Sequence, residues 1–304
     1  MKLSIAESVP QATLDPRWTE CRCLTASVLP VRFACDLTCR FCFSKSSLSA
    51  LNRDRARWDE GDVLDYYRLA RARGATRLVV TGGGEPMLLP EQVLLLVRLG
   101  REVFGEIACF TNGTRLTPAL AGRLADAGLT YLCYSRHHDD DATCRAVMGD
   151  GAPALADFFA AAGPLKVRAT CVMARGYIDS REAALRYMRA LAPFGVREFT
   201  FKHTYVAYEG SVFSGSDEDR WAEAHRVEID PFDGVGEVIG ALPWGPRIRR
   251  IEESQVCFYH EPTPSWELEN RICRSLNLLS DGSVYASLED RRSLLYRLAR
   301  CSTP

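Results

Sequence analysis

Between about residues 27 and 206, apolar runs of strand length alternate with stretches whose apolar residues recur at helical spacing. The runs at 27–33, 77–81, 106–111, 130–135, 166–173 and 198–205 are near-continuous and rich in β-branched residues, the pattern of parallel strands covered on both faces. The helical stretches between them carry start and stop signals. Thr117 precedes Pro118, Leu120 and Leu124 share one face, and Gly128 ends the segment. Asp179 with Glu182 reads as a capping box, followed by Ala184, Leu185, Met188 and Leu191 at helical spacing. Pro90 opens another helix, through Arg98. Six strands alternating with helices predict an α/β barrel or an open parallel sheet.

After about residue 210 the alternation stops. The chain reads as an N-terminal extension (1–26), a barrel (27–210) and an irregular C-terminal cap over its mouth (211–304). Within the cap, 276–287 reads as a hairpin turning at Asp281-Gly282, and 290–300 as a terminal helix.

Composition narrows the classes. A 47% apolar chain with 25% charged residues has ample material for a core. A net charge of −1 argues against broad phosphate neutralisation, which makes nucleic acid an unfavoured partner. The arginine clusters at 53–57, 68–73 and 247–250 read as solvated faces and loops. No run of about 18 apolar residues could cross a membrane, and the first ten residues do not resemble a signal peptide, so the expected location is the cytoplasm.

Cysteine usage then points to chemistry. Twelve cysteines in a cytoplasmic chain are not expected to be disulfides. Cys109, Cys133 and Cys171 lie in apolar strand runs and read as small core residues. Cys35, Cys39 and Cys42 instead share one polar loop directly after the first strand, with three and then two residues between them. Three thiolates on such a loop can grip three irons of a cubane and leave the fourth open. A zinc loop completed by a distant cysteine is the other arrangement open to them. A second motif, Thr81-Gly-Gly-Gly-Glu85-Pro86, ends the next strand, at the rim where parallel α/β folds place their sites. Its glycines allow close backbone approach, and its carboxylate could pair with an ammonium group.

With Phe41 before the third cysteine and the glycine-rich turn one strand later, the chain resembles the radical S-adenosylmethionine (SAM) superfamily over about residues 27–206. The likeness is nearest to the subgroup of the molybdenum cofactor biosynthesis enzyme and the peptide-modifying maturases. It implies a partial (β/α)6 TIM-like barrel in which Cys35, Cys39 and Cys42 hold one 4Fe-4S cluster. It also implies reductive cleavage of SAM to methionine and a 5′-deoxyadenosyl radical, with an electron donor such as flavodoxin or ferredoxin. Residue by residue, Gly83, Gly84 and Glu85 would bind the SAM amino group, Thr111 and Asn112 would lie near SAM, and Ser135 would meet the ribose. Arg168 and Thr170, on one face of the fifth strand, would face the lumen, Arg168 near the SAM carboxylate. Plain surface turns are the other reading of Asn112 and Ser135. Cys257, Cys273 and Cys301 depart from auxiliary-cluster spacing, so none is expected, and Cys21 and Cys23 read as solitary thiols. No N-terminal extension long enough for a cobalamin or peptide-recognition domain is expected.

Substrate groups should lie beyond SAM. Arg136, His137 and His138 follow the fourth strand, and Lys202 and Thr204 share a polar face of the sixth with Thr200, while His203 falls on the apolar side. Tyr205, Tyr208, Trp244, Glu267, Arg271 and Arg274 are further candidates in the cap. The expected substrate is a polar, even anionic, small molecule: a nucleoside, sugar derivative or amino acid. The alternatives are a peptide maturase and a non-enzymatic zinc-binding module.

Overall fold

The computed structural model describes residues 14–51, 58–207 and 213–298. Its strands form one twelve-stranded sheet. In chain order they are β1 (Arg22–Leu29), β2 (Arg77–Val80), β3 (Ile107–Thr111), β4 (Tyr131–Ser135), β5 (Lys166–Val172) and β6 (Glu198–Lys202), then β7 (Glu237–Ala241), β8 (Arg247–Ile251), β9 (Ser254–Tyr259), β10 (Ile272–Leu279), β11 (Ser283–Tyr285) and β12 (Leu294–Arg297). The spatial order is β12-β11-β10-β1-β2-β3-β4-β5-β6-β9-β8-β7, and the sheet does not close on itself. From β10 through β9 all eight strands run parallel, with antiparallel strands at both ends.

Helices α1 (Glu60–Ala72), α2 (Pro90–Arg101), α3 (Pro118–Ala127), α4 (Asp141–Met148), α5 (Leu155–Ala162) and α6 (Arg181–Leu191) follow the first five strands, and α7 (Asp217–Ala224) and α8 (Pro264–Asn270) come later. One face of each central strand meets this layer. Val28, Leu78, Val80, Cys109, Leu132, Ala169, Cys171 and Phe201 belong to a single buried core. The alternate positions, among them Ser27, Cys133, Ser135, Thr170 and Thr200, line a cavity, as a period of two requires. Hydrogen bonds tie α1 to two strands at once: the Tyr66 hydroxyl donates to the carbonyls of Ser27 and Leu276, each at 2.8 Å.

The α/β class stands, with four corrections to the expected elements. The first strand ends at Leu29, because Pro30 has no N–H to continue the ladder. The cap of α6 is Ser180, whose side chain accepts from Ala183 N, while the Asp179 carboxylate accepts from Gly176 N. The stretch expected to be an irregular cap supplies six strands, two of them parallel members of the sheet. Inward polar residues (Gln255, Ser275, Asn277) interrupt those apolar runs and hide their periodicity. Residues 290–300 do not form a helix: Asp290 caps a short turn through Arg292 N at 2.9 Å, and β12 pairs with β11. The hairpin turning at Asp281-Gly282 is present. Among the described residues no helix is long and apolar enough to cross a membrane. Tyr208 and Cys301 lie outside the described residues.

Candidate active site

The three loop cysteines line the mouth of one cavity of about 1100 Å³, above the C-terminal ends of the parallel strands. Cys35 is exposed, and Cys39 and Cys42 are half-buried. The loop is docked by its backbone on the glycine turn. Ala34 forms a parallel bridge with Gly84, and Glu85 N donates to Ala34 O at 3.0 Å. A Cβ on Gly84 would stand 1.6 Å from Ala34 O, and one on Gly83 (φ +87°) would stand 2.2 Å from Val31 O. These glycines are required by a close backbone approach.

The loop is held at two more points. Asp36 accepts from Asn112 Nδ2 (3.0 Å), Thr114 Oγ1 (2.7 Å) and Arg115 Nε (2.9 Å), which fixes the loop to the turn after β3. On the α4 side Thr38 N donates to Met148 O at 2.8 Å, and Leu37 and Phe41 pack with Val147, Met148 and Ala152. The Phe41 ring meets His137 edge-on at 4.6 Å.

The donor set suits an iron–sulfur cluster. Burial, with Cys42 and Cys35 close by, pushes the Cys39 thiol well up, and burial also raises Cys35. Such thiols become thiolates only beside a strong cation. Among the described residues no three His, Cys, Asp or Glu groups converge on a single-ion site, the loop thiols included. In a cubane each thiolate takes its own iron and needs no such convergence. Cys35 Sγ also accepts from Leu37 N (3.5 Å) and Asn112 Nδ2 (3.6 Å).

The Glu85 carboxylate, only 2% exposed, accepts from Met87 N (3.0 Å), Thr111 Oγ1 (2.7 Å) and Asn112 N (2.7 Å). Burial outweighs these three donors and lifts its pKa to about 7. Its side chain thus joins the rims of β2 and β3, and Glu85 lines the cavity with the loop cysteines. Ser135 and Thr170 are aligned neighbours on β4 and β5, and Thr200 continues their row on β6, all lining the cavity.

Four expected residues stand elsewhere or are otherwise engaged. Arg168 lines the cavity four residues below the end of β5, about 13 Å beneath the rim. There it lies close to Tyr131 and Glu198, on the floor and away from the loop. A two-residue period fixes a face, not a height. Arg136 is fully buried off the cavity, its guanidinium on Asp141 (2.6 Å), Asp139 O and Pro153 O. His138 Nδ1 accepts from Asp140 N at 3.0 Å in the same turn and does not line the cavity. Thr204 reaches the cavity wall, but its hydroxyl donates to Ala222 O at 3.0 Å. His137 does line the cavity. Its Nδ1 accepts from Val172 N at 2.9 Å, and burial, then Lys202 and Arg136, lower its pKa to about 3, so the ring is neutral.

Lys202 lines the cavity and pairs with Glu261 at 2.9 Å. Glu261, its side chain 8% exposed, also takes Arg274 (2.5 Å) and the Tyr259 hydroxyl (2.5 Å). Burial alone would raise Glu261, but Arg274 and Lys202 outweigh it and hold the pKa at about 2. Sequence reasoning missed Glu261 and Tyr259 because β9 was not recognised. Asp36, between two of the cysteines, was also legible and missed. Of the other cysteines, Cys257 lines the cavity, whereas Cys273 lies in the helix-side core beside its β1 partner Cys23.

Fold and site together define a class: a mostly parallel, open α/β barrel with a three-thiol loop at the C-terminal mouth of its strands. Residues 29–163 match the family model of the Radical SAM superfamily. Over those residues the chain is similar to the radical SAM domain, a family whose cofactors are a 4Fe-4S cluster and SAM. Over 115 residues the chain is 29% identical to a probable GTP 3′,8-cyclase of Thermoplasma volcanium, a match covering 38% of this chain and 33% of that protein. The fold is similar to SuiB of Streptococcus suis bound to its precursor peptide SuiA (15% identity, 88% of this chain and 60% of that one, TM-score 0.55). It is also similar to HydG, a maturase of the [FeFe]-hydrogenase (13% identity, 96% and 69%, TM-score 0.51). The chain thus spans about a third of the curated relative's length.

Proposed function

We propose that this protein is a radical SAM enzyme acting on a polar small molecule. The observation that carries the reading is the docking of the three-thiol loop, through the Ala34–Gly84 bridge, onto the glycine turn at the mouth of a large cavity. Cys35, Cys39 and Cys42 would hold the cluster, and the backbone of Gly83 and Gly84 would meet the SAM amino group. When bound, the cluster supplies the electron that breaks a carbon–sulfur bond of SAM, giving a radical able to take hydrogen from an unactivated carbon.

The chain's own residues position and exclude. Asp36 and Asn112 fix the loop, and Glu85 locks two rims together. The Ser135–Thr170–Thr200 row offers hydroxyls to a ribose or a polar substrate, and neutral His137 presents its Nε2 side without adding charge. The cavity exceeds the usual size of a single small-ligand site, which leaves room for SAM and a second molecule. The electron would come from a carrier such as flavodoxin or ferredoxin, in the cytoplasm.

Counting iron and sulfide after anaerobic reconstitution tests the reading, with about four of each expected per chain. About eight would mean a second cluster, and one zinc with no sulfide would favour a metal-binding module. A second reading, a peptide maturase, draws on the likeness to SuiB with its bound precursor peptide. It requires binding of a peptide substrate, which calorimetry with candidate precursors would detect.

A further inference from the structure

The cavity wall at the ends of β6 and β9, beside the thiol loop, carries a charge arrangement that the proposed SAM contacts do not use. Glu261 follows β9 and Arg274 lies in β10, the two outermost strands of the parallel set, which are not hydrogen-bonded to each other. The Glu261–Arg274 pair at 2.5 Å, with Tyr259 OH 3.4 Å from Arg274, therefore joins the two ends of the parallel sheet by side chains. Those two residues have a sufficient role as a latch. Lys202 does not. It stands on β6, next to β9 and on the same side of the seam, and Glu261 already has Arg274 and Tyr259 as donors. A half-buried ammonium added to a compensated carboxylate gains little stability.

The surroundings leave positive charge over. The Lys202 Nζ spends one of its three donors on Glu261 and faces the rings of Tyr259 (5.1 Å) and Phe43 (5.8 Å). Arg226 lines the same cavity and, among the described residues, stands in no ion pair with an acid. The other carboxyls of this corner, Glu267 and Glu289, are lifted by burial to about 7 and about 8, so Glu261 carries the local negative charge. Two cations beyond the latch thus face the cavity.

We infer that the substrate carries an anionic oxygen group, a carboxylate or a phosphate, bound by Lys202 and Arg226 in the cavity. This rests on the proposed function and names the substrate class for it. An anion there makes charge-assisted hydrogen bonds of the strong kind. The same contacts would hold the neutral part of the substrate over the Ser135–Thr170–Thr200 row.

The test is equilibrium binding to the reconstituted, SAM-loaded protein of four compounds on one scaffold: glucose, glucosamine, gluconate and glucose 6-phosphate. The wild-type protein should bind one or both anionic compounds at least about tenfold more tightly than glucose, and the pair tells carboxylate from phosphate. Lys202→Met should remove most of that preference, and Arg226→Ala a large part of it, with thermal melting confirming that each variant is folded. Equal binding of glucose, tighter binding of glucosamine, no binding of either anion, or a preference that survives both substitutions would each overturn the inference. Iron loading and SAM cleavage by the same preparations report separately on the function beneath it. A protein that loads and cleaves but ignores the anions loses only the substrate class.

Discussion

The side-chain amide of Asn112 stands 3.6 Å from Cys35 Sγ while donating to Asp36 at 3.0 Å, so one residue at the end of β3 both aims at a thiol and anchors its loop. Hydrogen bonds to cluster sulfurs raise the reduction potential. Asn112→Leu removes one such donor, worth about 0.5–1 kcal/mol. That corresponds to a one-electron potential lower by roughly 20–45 mV. A redox titration followed by electron paramagnetic resonance checks this, and an unchanged potential would show that the amide does not reach the sulfur when the cluster is bound.

Gly84→Ala should disable the loop without unfolding the sheet. Its Cβ would collide with Ala34 O, a backbone atom that cannot swing away, at a local cost of about 1–3 kcal/mol or more. Circular dichroism should stay near that of wild type while iron content after reconstitution falls below half. Full iron loading would show that the bridge is dispensable.

The stability of the metal-free protein should fall as pH rises from about 6.5 to 8, above the range in which the buried neutral rings of His137 and His203 work in the opposite sense. Burial holds Glu267 at about 7 and Glu289 at about 8, both above the ordinary carboxylate value. A group with a raised folded pKa contributes stability that is complete below its unfolded pKa and is lost as pH climbs through the folded one. Glu261, held at about 2, works in the opposite sense and loses its contribution only as pH falls toward 2. Each raised group is worth at most about 3–5 kcal/mol, so the melting temperature should drop by several degrees. Glu289→Gln should flatten the part of the slope above pH 7. A melting temperature that rises over this range would contradict the assignment.

Arg168→Met should leave SAM affinity within about twofold of wild type, because the guanidinium lies on the cavity floor near Tyr131 and Glu198. Calorimetry on the reconstituted protein decides this. A tenfold loss would return Arg168 to the SAM site.

Much of the architecture was legible in the residues, and the exceptions share a cause. The cysteine loop and the glycine turn declare themselves because burial explains neither, and the structure brings both to one cavity mouth. Strands two to five were readable as near-continuous apolar runs. Strands β9 and β10 were not, since their inward faces carry Gln255, Ser275 and Asn277. Missing β9 hid Glu261, the carboxylate on which Lys202, Tyr259 and Arg274 converge. Local pattern also cannot state depth or direction along a strand. Arg168 shared the correct face at the wrong height, and Arg136, one residue from His137, turned into the α4 packing instead of the cavity.

The decisive measurement is the fate of SAM. Wild-type protein reconstituted without oxygen and reduced with dithionite should convert it to methionine and 5′-deoxyadenosine in equal amounts, and Cys35→Ala, Cys39→Ala and Cys42→Ala should each abolish the conversion. Intact SAM after incubation with fully loaded wild-type protein, or undiminished cleavage by any one of the three variants, would contradict the assignment of that loop.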